Sequence, residues 1–518
     1  MAELMVIFGP PGTGKTTTLK RVVEECVVSD GNDTILLTAF TKTAAHELAS
    51  RGMGVEEQQI GTLHSHCFHA LDEPNIAEGH LADWNEVFPM YQLSTQDAIY
   101  ADHEMIGESI GDDLLNQLNL LRHRLEPRHH WPERVQHFAR QWTDWKAQHH
   151  YCDFTDLIEK SLEMYPIAPR YPKSIIVDEA QDLTLLQWKL LLSWAKHTDR
   201  FIAAGDDDQC LYQWAGADFA PMLSAPQRTV LTQSYRVPRS VQRFAMRFCQ
   251  SIAVRQAKTW APRDMDGTVE HLRHISWRHP EYALLPKIRE WLEMPFGTVG
   301  IFAPCSYMLA PMIRALKEAG LPFYNPWRAK DRFWNPLRRT ATEVTPTQRL
   351  LAFLKPPERL WTWPELGEWV PMLRNDMLLP GAHTRVLGTL DTPGICGMRD
   401  LESLLTPPCL SGALHGGTRW LIEVAVTQKY RDGLRYPLQV FLREGREGLT
   451  EDPRIILGNI HSTKGGEVDI CVLFMDLSHA QKKSRIWDTS ARDNILRTLY
   501  VGSTRARESL FLCGERDL

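Results

Sequence analysis

The sequence of 518 residues lacks any apolar run near the ~18–20 residues that cross a bilayer, which excludes a helical membrane protein. Its opening residues, Met1-Ala2-Glu3-Leu4-Met5-Val6-Ile7-Phe8, carry no basic flank, and Gly9-Pro10-Pro11 cut their apolar run short. They read as a first buried strand and not as a signal peptide, so the expected location is cytoplasmic. Ten cysteines are present but no CxxC pair, which argues against a zinc ribbon and a disulfide framework and leaves reduced, mostly buried thiols. There is no excess of positive charge either. With a net charge of -6, the whole-molecule field attracts no polyanion, and any nucleic acid must be held in a local groove. Short-period repeats and low-complexity tails are also missing.

What is present is a chain too long for one core, since single cores stop growing near ~250–300 residues. Its composition, 43% apolar and 24% charged, is that of a folded globular protein. Short apolar runs at 5–8, 34–39 and 60–63 alternate with helix-periodic stretches at 17–26 and 43–50. The rhythm returns with runs at 174–178, 200–205, 229–232, 298–303, 454–460, 469–475 and 509–513. Strands apolar throughout and separated by helices predict parallel sheets covered on both faces, an α/β fold. Two stretches break the pattern. One, 74–152, is helix-like and rich in Arg, His and Trp; the other, 327–450, is dominated by Pro, Gly, Trp and Leu, with breakers such as Lys355-Pro356-Pro357. Both read as insertions into a two-lobed scaffold.

Gly9-Pro10-Pro11-Gly12-Thr13-Gly14-Lys15-Thr16 is a complete P-loop pattern between a predicted strand and a predicted helix, with Thr17 following. Its glycines let backbone N–H groups close around phosphate oxygens, and the helix N-terminus adds its positive dipole end. Lys15 is placed for the β- and γ-phosphates and Thr16 for Mg²⁺. Such a site needs a metal carboxylate at a neighbouring strand end, and Ile175-Ile176-Val177-Asp178-Glu179 supplies one. Asp178 is the expected second Mg²⁺ ligand, and Glu179 the group that orients or deprotonates the attacking water. The expected cofactors are therefore ATP and Mg²⁺.

Further along, Gly205-Asp206-Asp207-Asp208-Gln209-Cys210-Leu211-Tyr212-Gln213-Trp214, Gln233-Ser234-Tyr235-Arg236, His461-Ser462-Thr463-Lys464-Gly465-Gly466-Glu467 and Gly502-Ser503-Thr504-Arg505 follow in order. Upstream stand Ala39-Phe40-Thr41-Lys42-Thr43-Ala44-Ala45 and Gly61-Thr62-Leu63-His64-Ser65. With these motifs the chain resembles the UvrD/Rep/PcrA branch of superfamily 1 DNA helicases across both lobes. The resemblance implies two RecA-like domains, each interrupted by a mainly helical insertion. The boundaries would be lobe 1A at 1–73 and 153–234 around insertion 1B at 74–152, and lobe 2A at 235–326 and 451–518 around insertion 2B at 327–450. It implies that Gln209 senses the γ-phosphate and that Arg236 and Arg505 act as arginine fingers from the second lobe. It also implies that Tyr235 stacks on the adenine and Glu467 holds the ribose. Phe40, Tyr212 and Trp214 become candidates for stacking bases, with Thr62, His64 and His461 beside the strand. Stacking is worth ~1–3 kcal/mol per base whatever the base, which suits a motor that must traverse any sequence. The implied partners are single-stranded DNA and its junctions with duplex, with travel 3′ to 5′.

The departures carry their own expectations. The family's glutamine motif, which reads the adenine edge, is absent upstream of Gly9, so selectivity for ATP over GTP or dATP is expected to relax. Ala215 and Gly466 stand where the family has Arg and Leu. No carboxylate-rich nuclease module follows Arg505, which disfavours a helicase–nuclease subunit. A translocase that strips proteins without unwinding, and a nucleotide-switched interaction module, remain as alternatives. His64-Ser65-His66-Cys67-Phe68-His69 has metal-ligand residue types, but zinc sites draw on separated ligand pairs. The Arg/His/Trp stretch at 121–150 fits either a phosphate grip or a solvated face over a small Trp core.

Overall fold

The first six strands are short, and they assemble into one parallel sheet whose four inner members are apolar on both faces. In the computed structural model these are β1 (Leu4–Phe8), β2 (Ile35–Ala39), β3 (Ile60–Thr62), β4 (Ser174–Asp178), β5 (Arg200–Gly205) and β6 (Gln227–Val230). Their order is β3-β2-β4-β5-β1-β6. Alternation assigns the two faces. Val6, Phe8, Ile175, Val177, Phe201 and Ala203 join one core, while Ile7, Leu37, Ile176, Ile202 and Ala204 join the other. The structure describes residues 2–40, 45, 52, 54–94, 109–295, 297–328, 331–339, 343–355, 358–389 and 393–514. Most of the helix expected at 43–50 lies outside these, as do Thr41–Ala44 of the motif after β2, so neither is described further.

A second parallel sheet is built from β7 (Thr268–Leu272), β8 (Val299–Ala303), β9 (Phe323–Tyr324), β10 (Ile455–Asn459), β11 (Val468–Phe474) and β12 (Ala506–Cys513). The α/β class with two parallel sheets is thus as the sequence predicts. The chain divides into two compact units, one of residues 1–274, 302–307 and 459–518, the other of 275–301 and 308–458. In the first unit β12 pairs in parallel with β11 on one side and β7 on the other. In the second, β10 pairs with β9, and helices such as Pro346–Phe353, Trp363–Trp369 and Gln428–Glu444 bury Phe353, Trp361 and Trp369 against one another. All ten cysteines are free and buried, as expected. No helix among the described residues is long and apolar enough to cross a membrane.

The stretch at 74–152 is helical where it is described, with Ile110–His123 and Glu133–His149 its longest helices. Trp84 packs edge to face against Trp142 and Trp145, which stack on each other in its core. Arg122 and Lys146 turn inward to Asp153 and Asp156, which together form the capping box of helix Phe154–Met164. Of the two readings open for this stretch, the small Trp core accounts for its tryptophans and for these two cations.

Candidate active site

Ligands of open α/β sheets bind outside the carboxyl ends of the strands, and the motif residues of the first sheet gather there. The P-loop leaves β1, Phe40 leaves β2, Thr62 ends β3, Asp178 ends β4, Asp206–Gln209 follow β5, and Ser234–Arg236 follow β6. The strand order sets β5, which leads to Gln209, between the P-loop strand and the Asp178 strand.

The P-loop has the backbone its chemistry needs. Gly12 and Gly14 sit at φ 72° and 79°, left-handed conformations open to glycine. A Cβ on Gly12 would lie 2.4 Å from the Cβ of Arg236, so the loop also depends on glycine for its close approach to the segment after β6. That segment is tied down by two hydrogen bonds: the Ser234 hydroxyl donates to the Pro11 carbonyl at 2.8 Å, and the Tyr235 N–H donates to that of Gly12 at 2.8 Å. Thr13 donates its hydroxyl back to the Pro10 carbonyl at 2.7 Å. Helix Lys15–Asp30 starts directly after Gly14. The Lys15 ammonium donates to the Gly9 carbonyl at 2.9 Å and stands 3.9 Å from Glu179. The Thr16 hydroxyl has no hydrogen-bond partner among the described residues, and Asp178 is 5% exposed on the strand end. One hydroxyl and one carboxylate beside a phosphate loop are the donor set that Mg²⁺ takes.

Glu179 adopts a left-handed backbone, φ 54°, unusual for a β-carbon residue and a strain that functional sites sustain. Burial works against its charge, but Lys15 and Lys464 prevail and hold its carboxyl near pKa 2, so it is an anion. Gln181 donates to Glu179 at 2.6 Å and accepts from the Asp206 N–H at 3.0 Å. Asp206 in turn accepts from the Gln209 amide at 2.7 Å. The Gln209 carbonyl receives Arg505 at 3.1 Å.

Arg505 is the anomaly. It is 1% exposed, donates otherwise to the carbonyls of Gly466 (3.0 Å) and Val501 (2.9 Å) and weakly to Thr504, and makes no ion pair among the described residues. Burial, with Arg236 nearby, disfavours its charge. Arg236 bonds Glu467 at 2.6 Å, and Arg507 holds the same carboxylate at 3.1 Å. The residue expected to hold a ribose is therefore engaged by two arginines in this conformation. Tyr235 is exposed, at 71%.

The expected track residues divide. Phe40, Trp214 and His461 lie around Tyr212, with ring centroids 5.2, 6.3 and 6.1 Å from it. His64 stands apart, edge-on to Phe154, and burial and His123 push its pKa down to about 4. Thr62 spends its hydroxyl capping helix Leu63–Ala70, accepting from the Ser65 N–H. In that helix His66 meets the Leu37 carbonyl at 3.3 Å and Cys67 is in the core, so the His/Cys run is used for packing.

Lys464 had no assigned role, and it is the residue that joins the two groups. Its ammonium reaches Glu179 at 3.4 Å and also Asp182, and lies 5.7 Å from the centre of the Tyr212 ring. Also missed was Lys258, buried among Asp206, Asp207 and Asp208, with Arg255 forked onto Asp208. A lone lysine in the string Gln256-Ala257-Lys258-Thr259 carries no signal of this. Asp206, Asp207 and Asp208 have the geometry of a cation cluster among the described residues, and Lys258 is the cation they already hold.

Residues 1–229 match the family described as UvrD/REP helicase N-terminal domain. The chain is similar to the ATP-dependent DNA helicase PcrA of Bacillus subtilis, 25% identical over 52% of this chain and 40% of the relative. It is similar to the ATP-dependent DNA helicase Rep of Buchnera aphidicola, 27% identical over 41% of this chain and 36% of the relative. A putative ATP-dependent DNA helicase of B. subtilis, YjcD, is 25% identical over 45% of the chain and 34% of its own length. The matches span about two-fifths or less of these relatives. The resemblance to the UvrD/Rep/PcrA group drawn from the motifs is therefore found again in these partial matches.

Proposed function

We propose that the chain hydrolyses Mg·ATP to move along single-stranded DNA, unwinding duplex as it travels 3′ to 5′. The observation that carries the reading is Arg505, a buried guanidinium with no carboxylate partner among the described residues, joined through Gln209, Asp206 and Gln181 to Glu179 and so to the P-loop. A buried cation left unpaired is costly unless an anion arrives to meet it. The transferring phosphoryl group is that anion. Phosphoryl transfer needs charge stabilisation at this point, and an arginine supplies about 10³–10⁵ in rate.

Thr16 and Asp178 would hold Mg²⁺, which neutralises phosphate charge when bound. Lys15 and the P-loop amides orient the phosphates, Glu179 accepts the proton of the attacking water, and Gln209 reports to Arg505 and Arg236 whether the site is filled. Tyr235 takes the base by stacking. Glu467 reaches the sugar once Arg236 turns from it to the phosphates. Phe40, Tyr212, Trp214 and His461 form the track for bases, with Thr62 and His64 nearer the backbone. Lys464, shared between Glu179 and the Tyr212 ring, supports a direct link between occupancy of the track and the chemistry. Single strands and their junctions with duplex are the proposed partners, and the lobes and insertions are those bounded in the sequence.

The test is ATP hydrolysis with and without single-stranded DNA, paired with unwinding of 3′- and 5′-tailed duplexes. Stimulated hydrolysis with unwinding from the 3′ tail is expected. Stimulation without strand separation would assign a translocase, and hydrolysis indifferent to DNA would sink the motor reading.

A further inference from the structure

The strands that begin beside the motif arginines end at a second recess, within the first compact unit. Glu467 precedes β11, and Arg505 precedes β12. The recess lies at the opposite ends of these parallel strands, beside Met475 after β11 and Leu512 and Cys513 of β12. Its volume is about 630 Å³, within the range of ~300–1,000 Å³ typical of ligand sites. The carboxyl end of a parallel sheet is where such folds take ligands, and nothing in the nucleotide chemistry uses this end.

Helical and strand periods build its wall. Phe244, Arg247 and Phe248 share one face of helix Arg239–Ser251 at i, i+3 and i+4. Arg492, Ile495 and Leu496 do the same on helix Thr489–Ser503. His271 on β7, the edge strand, and Arg273 just past its end are both exposed. The floor is apolar, with Phe248, Ile495, Leu496 and Leu512 each under 9% exposed and Met475 half-buried above them. The rim is basic. Arg247, Arg273 and Arg492 are exposed and make no ion pair among the described residues, and no Asp or Glu lines the recess. In a chain of net charge -6 this is a local field of the opposite sign.

We propose that this recess docks an acidic segment of a partner protein, which sets an aromatic or branched aliphatic side chain on the floor and its carboxylates on Arg247, Arg273 and Arg492. Arginine forks match carboxylates bidentately, and a buried apolar anchor ringed by charge is the usual anatomy of a recognition site. A nucleic acid fits less well. Its phosphates would meet the rim but leave the floor unused, and Phe244 stands edge to face with both Phe248 (5.3 Å, 89°) and His271 (5.9 Å, 78°), a poor platform for a base.

The test is selection of short random peptides displayed on phage against the full chain, with counter-selection on the Arg247→Glu/Arg273→Glu/Arg492→Glu variant. Enrichment of peptides with Asp or Glu flanking Phe, Trp, Leu or Ile is expected. A synthetic copy of the enriched peptide should lose at least tenfold in affinity, about 1.4 kcal/mol, on the triple variant, and also on Phe244→Ala. DNA-stimulated ATP hydrolysis of both variants stays at the wild-type level, which separates this site from the proposed motor. Three results would overturn the proposal: no acidic–apolar enrichment, equal peptide affinity for the triple variant, or displacement of the peptide by oligothymidylate.

Discussion

Arg122 and Arg505 are both buried guanidiniums, and their surroundings are opposite. Arg122 meets Asp153 at 2.8 Å, Asp156 at 2.6 Å and Glu159 at 2.8 Å, and despite its burial these carboxylates raise its pKa above the ordinary value. Lys146 and the Trp142 indole N–H share Asp153 with it. Every charge there is answered by the protein, so the network closes on itself and holds the helical insertion to helix Phe154–Met164. Among the described residues Arg505 has only carbonyls, a hydroxyl and the amide of Gln209. The first arrangement spends a buried charge on structure. The second leaves it without a carboxylate among the described residues, open to an incoming anion. Burial and residue type alone do not distinguish the two; the partners do.

The comparison breaks most sharply at turnover. Arg505→Ala is expected to lower DNA-stimulated ATP hydrolysis by about 10³–10⁵ while leaving the unfolding temperature unchanged or higher, because an unpaired buried charge is removed. Glu179→Gln should likewise abolish turnover, by ~10²–10⁴, and retain nucleotide binding as followed by a fluorescent ATP analogue. A rate above a tenth of wild type in either variant would remove that residue from the chemistry. Arg122→Ala should do the reverse. It leaves Asp153 and Asp156 to Lys146 and strips Glu159 of its partner, and is expected to cost about 3–5 kcal/mol in chemical denaturation. The hydrolysis rate per folded molecule should remain. If Arg122→Ala proved as stable as wild type, the closed network would not be what holds the insertion.

How far these features were legible depends on whether their residues are contiguous. The strands ending in Asp178 and Gly205, the P-loop and the later motif strings are local patterns, and they were read directly. Tyr235 and Arg236 stand in a string distinctive enough to single them out in the sequence. β7 was missed because Thr268-Val269-Glu270-His271-Leu272 is an edge strand with only Leu272 buried, so it lacks the continuous apolar run of its neighbours. Ion networks were invisible for a different reason. Lys464 meets Asp182 and Glu179, Lys258 meets Asp206, and Arg122 meets residues more than thirty positions on, pairings that folding creates and sequence spacing does not encode. Thr62 shows the converse: its motif position was evident, but its hydroxyl caps a helix.

A finer cut lies on the aromatic side of Lys464. Trp214→Ala removes a ring 6.3 Å from Tyr212 without touching Glu179 or Arg505. Single-strand affinity, measured by anisotropy of labelled oligothymidylate, is expected to fall by about 1–3 kcal/mol with little dependence on base sequence. Basal hydrolysis without DNA should persist. Loss of fold with no change in DNA affinity would return Trp214 to the core.

The smallest effect separates the carboxylates that share Lys464. Glu179 is held low, near pKa 2, whereas burial drives Asp182 up to about 6 even though Lys464 contacts it and opposes the rise. The sign follows from proton binding. Asp182 keeps its proton in the folded state to a higher pH than in the unfolded chain, so its contribution is complete below about pH 4 and is lost as pH rises through 6. Asp182→Asn is neutral throughout and has no such loss. Relative to this variant, the wild type should therefore lose stability between about pH 4 and 6, read as the difference between their denaturation midpoints at each pH. Asp207 also titrates near 6 through its burial, but it is common to both proteins and cancels in the difference. A constant gap across that window would mean that Asp182 stays ionised beside Lys464, and the bridge between the phosphate site and the aromatic track would then be a full ion pair, as closed as the one around Arg122.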